Sequence, residues 1–232
     1  MSMFPLKLLS SMATRELLAE LAANCGQILD QPVVTEAAGG VDVAKRVQAG
    51  EAVDIVVLAG NVIDKLIGEG KLLTGSRVDL VKSGIGIAVR KGALRHDIGS
   101  ENAVRDAVIA ARSLSYSTGP SGTYLQTLFE GWGILEAIKE RIVVAPPGIP
   151  VGTLVARGEC ELGFQQMSEL INLPGIDVLG ALPPSIQMLT VFSAAISSGS
   201  SSSQAARRVL DYMTSRDADE VKRRFGMEPV PR

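Results

Sequence analysis

Four short stretches of this 232-residue chain place small polar residues or glycine where an apolar, strand-like run gives way to a helix-like one. Ser10, Ser11, Thr14 and Arg15 follow Leu6-Lys7-Leu8-Leu9 and offer hydroxyls and a fixed cation. Gly39 and Gly40 follow a second such run. Ser117, Ser121, Gly122 and Thr123 lie within Tyr116-Ser117-Thr118-Gly119-Pro120-Ser121-Gly122-Thr123-Tyr124, the strongest local signal. Gln165 and Gln166 close Leu162-Gly163-Phe164, and as strand neighbours they point to opposite faces. A strand-to-helix junction leaves the first helical N–H groups unpaired and carries the positive end of the helix dipole, so these residue types there form a seat for an anion. Each also has a plainer reading: Ser11, Thr14 or Ser121 as helix caps, the glycine pair as a turn needing positive φ, the glutamines as structural hydrogen-bonders.

Other chemistries find little support. There is no G-x-x-x-x-G-K-S/T, and Gly84-x-Gly86 lies inside the strand-like run Ser83–Val89 rather than in a strand-to-helix turn, which argues against a nucleotide. No G-x-S-x-G occurs, and a single histidine, His96, leaves no multi-histidine metal site and no spare partner for a triad. Cys25 and Cys160 belong to no spaced ligand cluster and read as buried small hydrophobes, while His96 reads as a surface-loop residue. Neither a metal nor a cofactor is expected.

The elements that must hold these stretches alternate as βαβαβ: strands near 6–10, 32–36 and 54–59, helices near 14–25, 41–49 and 61–68. Ile55-Val56-Val57-Leu58-Ala59 is apolar throughout, as a strand covered on both faces must be. A second rhythm begins at Ser83, with helices near 101–111, 121–131 and 150–157 and strands at 113–117, 142–145 and 161–165. A strand at Gln187–Ala194 and a helix near 204–213 follow, and Ser197–Ser203, six serines and a glycine, reads as a flexible loop. The pattern predicts an α/β protein of two βα lobes, 1–82 plus 190–232 and 83–189, with two crossover segments (Val81–Ile87 and Gln187–Val191) and a ligand in the cleft between them.

With 23 Lys plus Arg against 25 Asp plus Glu, the net charge of −2 gives no global basic field for nucleic acid or anionic lipid, so the expected partner is a small anionic molecule held locally. No run of 18 apolar residues predicts membrane insertion, and no charged leader precedes Leu6. As written the chain is expected in the cytoplasm, and in the periplasm if a signal peptide has been removed from it.

The order of elements resembles the molybdate-binding solute-binding proteins of ABC importers, which have the bilobal type 2 periplasmic-binding-protein fold. The resemblance covers nearly the whole chain and rests on Val43-Ala44-Lys45-Arg46-Val47-Gln48-Ala49-Gly50-Glu51-Ala52-Val53-Asp54-Ile55, on Pro120-Ser121-Gly122-Thr123-Tyr124, and on Leu154-Val155-Ala156-Arg157-Gly158-Glu159-Cys160-Glu161-Leu162-Gly163. It implies an ABC permease partner if the protein is exported. Where that family places binding serines after the first and second strands, this chain has Ala13, with Ser10 and Ser11 slightly earlier, and Gly40; a tyrosine of the second lobe is replaced by Gln166 or Gln165. The substitutions imply an organic carboxylate in place of a tetrahedral oxyanion. Arg77-Val78-Asp79-Leu80, Tyr116-Ser117 and Gly163-Phe164-Gln165-Gln166-Met167-Ser168-Glu169-Leu170 are similar to a subset that includes aconitate isomerase, which implies a cofactor-independent 1,3-proton shift in a di- or tricarboxylate. Arg15 and the 117–124 segment would hold carboxylates, and Glu36, Glu169, Tyr116 and Tyr124 are alternatives for the base.

Overall fold

The computed structural model describes residues 5–146 and 148–231. The chain divides into two compact units, Met1–Lys82 with Val191–Arg232, and Ser83–Thr190. It opens with β1 (Leu6–Ser11), a single 3-10 turn (Met12–Thr14), α1 (Arg15–Ile28), β2 (Val33–Ala38), α2 (Gly40–Gln48), β3 (Ile55–Ala59), α3 (Gly60–Gly68) and β4 (Val78–Ser83). The second unit contains β5 (Ile85–Arg90), α4 (Glu101–Ala110), β6 (Leu114–Tyr116), α5 (Pro120–Gly131), α6 (Leu135–Ile138), β7 (Ile142–Val144), α7 (Val151–Arg157), β8 (Leu162–Gln166), α8 (Met167–Leu170) and β9 (Ile176–Ala181). The chain then returns through β10 (Thr190–Ile196), α9 (Ser203–Thr214), α10 (Asp219–Arg224) and the short β11 (Glu228–Pro229).

The first unit is a six-stranded sheet in the order β11-β4-β10-β3-β1-β2. β1 runs parallel to both β2 and β3, whereas β10 is antiparallel to β3. β3 is buried at every position because helices cover both faces: Ile55 and Val57 join Leu6, Leu8, Leu17 and Leu210 on one side, and Val56 and Leu58 join Leu9, Val43, Ile63 and Leu66 on the other. Each such aliphatic side chain contributes about 1.5–3 kcal/mol by leaving water. The second unit's sheet, β7-β6-β8-β5-β9, is likewise two-sided, with Ile85, Ile87, Phe129 and Phe164 on one face and Ala88, Val151, Leu154 and Val155 on the other. Gly163 of β8 is glycine because α7 lies against it: a Cβ there would come within 2.4 Å of a Val155 methyl. Gly163→Ala is therefore expected to cost about 1–3 kcal/mol by overpacking, measured by urea unfolding with an unchanged m-value.

Four expectations are corrected. The single strand expected over Ser83–Val89 is broken at Gly84, and Gln187 explains the break. Its Oε1 accepts the Ile85 N–H at 2.7 Å and its Nε2 donates to the Ile85 carbonyl at 3.0 Å, like a neighbouring peptide group. A Cβ on Gly84 would lie 3.0 Å from that amide. With Gln187 so used, the strand expected from 187 begins only at Thr190. The serine-rich segment is tied down rather than loose: the Ser197 N–H donates to the Asp54 carbonyl, the Ser198 hydroxyl to the Lys71 carbonyl, and the Ser200 hydroxyl to the Asp54 carboxylate. His96 does lie in a loop, but its side chain is only 13% exposed and sits 3.7 Å from Glu161.

Cys25 and Cys160 are both buried and free. Burial pushes each thiol up to about 11, which leaves little thiolate at neutral pH. Neither is expected to react with a thiol reagent at pH 7.5 in the native protein, and both should react once it is unfolded; a colorimetric thiol titration checks this.

Candidate functional site

In the first unit, three strand ends meet three helix starts along one edge of the sheet. β1 ends in Ser10 and Ser11, which are 1% and 8% exposed, and neither hydroxyl finds a hydrogen-bond partner among the described residues. Neither Ser11 nor Thr14 serves as a side-chain cap. Thr14 is buried and donates to the Ser11 carbonyl at 3.2 Å, so its hydroxyl braces the turn. Gly39 precedes α2 with φ −56°, which removes the positive-φ explanation for the glycine pair. A Cβ on Gly40 would lie 3.9 Å from the Ser11 Cβ and 3.8 Å from Leu58, so the start of α2 overlooks Ser11. A buried hydroxyl with nothing to bond, beside a nine-residue helix whose first N–H groups have no helical acceptors, is a physical invitation to an anion. Arg15 is half exposed and its guanidinium rests on Glu16 at 3.2 Å.

At the third strand end lies a charged network. Arg77 donates from Nη1 to both Asp64 oxygens at 2.6 Å and from Nη2 to Asp79 at 2.9 Å, and Asp79 also accepts the Ser193 hydroxyl at 2.6 Å. Gly60 opens α3 without a side chain because a Cβ there would sit 3.0 Å from both Arg77 Nη2 and Ser193 Oγ. Burial pushes the Asp79 carboxyl up, but the Ser193 hydroxyl and the Arg77 guanidinium outweigh it and hold it below the ordinary value. A depressed folded pKa contributes stability above the unfolded value and loses it as pH falls through the folded one. Asp79→Ala should therefore flatten the acid limb of stability below about pH 4, by a modest amount since Asp79 is 37% exposed, as read from melting temperatures between about pH 5 and pH 2.5. Arg77 and Asp79 share one sequence motif, whereas Ser193 and Gly60 lie away from it in the chain and join it only through the fold.

In the second unit the 117–123 segment forms the expected helix start, with Gly119 as the residue before α5 and Pro120 in its first turn. Ser117 Oγ accepts the Gly119 N–H at 3.4 Å, and Thr123 Oγ1 donates back to the Gly119 carbonyl at 3.4 Å, so the Thr123 hydroxyl serves the helix. Ser121 is 2% exposed and makes no side-chain cap. Gly122 has a steric reason to be glycine: its Cβ would fall 1.6 Å from the Ser117 carbonyl oxygen.

β8 pairs with β6 so that Phe164 lies opposite Tyr116, which brings Gln165 and Gln166 beside Ser117 at the same end of the sheet. Both glutamines are buried. Gln165 donates to Glu169 at 2.7 Å and accepts the Gly152 N–H at 3.4 Å. Gln166 donates to Thr190 Oγ1 at 2.9 Å, and its Oε1 has no partner among the described residues. Buried Ser83 and Ser168 hydroxyls are in the same condition, and neither was anticipated.

Of the four base candidates, two are phenols set in structure. Tyr116 packs on Phe129 with ring centroids 6.3 Å apart, and Tyr124 donates to the Ile186 carbonyl at 2.9 Å. Burial, helped by Glu130 for Tyr116 and Glu101 for Tyr124, pushes both phenols up, away from base duty at neutral pH. Glu36 is 62% exposed and paired with Arg46 at 2.6 Å. Glu169 remains: it is half-buried and oriented by the Gln165 amide. No group of three or more metal-ligating side chains occurs among the described residues, and no described helix is long and apolar enough to cross a membrane.

Comparison with known proteins agrees with this architecture. An aconitate isomerase from Pseudomonas sp is 40% identical over 192 residues, covering 82% of this chain and 72% of that protein. The periplasmic molybdate-binding protein of Azotobacter vinelandii superposes with a TM-score of 0.80 at 21% identity, over 98% of this chain and all of that one. The sulfate-binding protein of Mycobacterium tuberculosis gives 0.77 at 16% identity, over 97% and 87%. These two structural likenesses establish the type 2 periplasmic-binding-protein fold. Residues 6–228 match the model of the bacterial extracellular solute-binding proteins, and on that match the chain belongs to this family.

Proposed function

We propose that the protein binds a small organic polycarboxylate, and that the first unit offers a carboxylate seat at the start of α2 and the second unit one at the start of α5. The observation that carries this reading is Ser11: an unbonded, buried hydroxyl facing the start of α2. Ala13 and Gly40, where the resembled family places binding serines, support an organic carboxylate over a tetrahedral oxyanion. A thermal-shift screen against tri- and dicarboxylates, molybdate, tungstate, sulfate and phosphate tests it. A ligand present at 1,000 times its Kd adds about 4 kcal/mol to native stability, so a carboxylate should raise the melting temperature by several degrees. A shift with molybdate or sulfate and none with carboxylates would sink the reading. If the protein is exported, an ABC permease is its natural partner.

A second reading, that the bound tricarboxylate is also isomerised, is favoured by the 40% identical aconitate isomerase. The chemistry needs no cofactor. A base takes a proton from the C–H next to one carboxylate, the electron pair moves through the double bond, and the proton returns at the far carbon. Glu169, held by Gln165, is the base in this reading. Proton NMR of cis-aconitate with the enzyme in D2O should show trans-aconitate forming and losing with Glu169→Gln. No interconversion by the wild type would leave binding alone as the function.

A further inference from the structure

We infer that His96 and Glu161 form a proton-operated clasp, which draws the loop between β5 and α4 onto the start of β8 in mild acid and releases it above neutrality. Glu161 immediately precedes β8, and Arg112 lies just ahead of its parallel neighbour β6. The pair therefore stands at the opposite end of the sheet from Ser117, Gln165 and Gln166, and is separate from the candidate site.

Three hydrogen bonds hold Glu161 in place. Its N–H donates to the Ser113 hydroxyl at 3.1 Å, and its Oε2 accepts the Arg112 N–H at 2.9 Å and the Arg112 Nε–H at 3.2 Å. The other oxygen, Oε1, lies 3.7 Å from His96 Nε2, which is buried and has no hydrogen-bond partner among the described residues. At that separation an uncharged ring gains little from the carboxylate. Protonation makes both ring nitrogens donors, whichever carried the hydrogen before, and a charged N–H so close to a desolvated carboxylate closes the gap to a charge-assisted hydrogen bond. The loop has slack to follow. Its ends are anchored by the Gly92 N–H, which donates to Asp177 at 2.9 Å, and by Ile98, which packs on the core of the second unit, whereas Leu94 and Arg95 between them are exposed.

The other charges around the ring favour its cation on balance. Asp97 on the same loop and Asp106 on α4 line one surface depression with His96. Arg95 and Arg112 oppose them, but both are exposed and solvent screens them. Burial pushes the Glu161 carboxyl up, yet the Arg112 N–H and guanidinium outweigh it and hold it below the ordinary value. Glu161 thus stays charged over the range in which an imidazole takes up a proton. Since protonation adds this bond to the folded state alone, its contribution to stability is present in acid and is lost as the pH rises and the ring gives up its proton.

His96 is the only histidine, so one substitution removes all imidazole titration from the full chain. In 15N-correlated spectra taken from about pH 8.5 to about pH 5.5, the Arg112 backbone amide, which donates to the same carboxylate, should move, and His96→Gln should abolish the movement. Melting temperatures give a second readout in which lost packing cancels. The difference between wild type and His96→Gln should grow by about 2–4 °C from the alkaline to the acid end, the span of a single hydrogen bond in a chain of this size. In a Glu161→Gln background, which keeps an oxygen for the Arg112 N–H, the same substitution should give a difference that does not change with pH. An Arg112 amide that moves identically in His96→Gln, or a melting difference equal at the two ends, overturns the inference.

Discussion

Gly122→Ala is expected to dismantle the anion seat proposed for the second unit. A methyl group there meets the Ser117 carbonyl oxygen at 1.6 Å, far inside contact distance, and both atoms are backbone or nearly so. The helix start cannot rotate away cheaply, because Ser121 and Leu125 are buried in its first turns and Phe129 further along packs against Phe164. Either the Ser117–Gly119 segment moves, taking the Ser117 hydroxyl and the free N–H groups of α5 with it, or α5 shifts on the sheet. The cost is about 3 kcal/mol of stability, at the upper end for overpacking, together with loss of measurable carboxylate binding. Chemical denaturation and calorimetric titration report the two effects. A variant as stable as wild type that still binds would show that the helix start is not the seat.

Ser11→Ala should do the opposite to stability while also harming binding. The native hydroxyl is desolvated and unbonded, so its removal relieves a buried polar group and should leave stability unchanged or raise it by about 1 kcal/mol. In the proposed complex the same hydroxyl would donate to a charged oxygen, a bond with a typical contribution of about 1.5–3 kcal/mol, so affinity should fall roughly 10- to 100-fold. Gain of stability with loss of affinity separates a functional serine from a structural one. Thr14→Ala serves as the contrast: its hydroxyl is already bonded to the Ser11 carbonyl, and its loss should cost stability first.

Much of the fold was legible because strands and helices announce themselves by period and length. Ile55–Ala59 could only be a strand covered on both sides, and the βα order of each unit followed from its neighbours. The errors have a shared physical cause. Gln187 replaces a strand neighbour with its own side chain, and Asp54 ties down a serine run through bonds spanning about as many residues as separate 54 from 200. Neither partner can be guessed from local composition. The candidate site was legible as positions, since strand-to-helix junctions concentrate serine, threonine and glycine, but not as roles. Thr14 and Thr123 bond backbone carbonyls, Gly122 is small for the sake of Ser117, and only Ser10, Ser11 and Gln166 among the anticipated residues hold buried atoms with nothing to bond. Distinguishing these cases needs the tertiary neighbours.

The most direct measurement is calorimetric titration of the purified protein with trans-aconitate and, separately, with molybdate at equal concentration and pH 7.5. The account predicts saturable one-to-one binding of the tricarboxylate, in the micromolar range or tighter, that molybdate does not match and that Ser11→Ala weakens at least tenfold. Tight molybdate binding with no heat from the tricarboxylate, or tricarboxylate binding indifferent to Ser11→Ala, would contradict it.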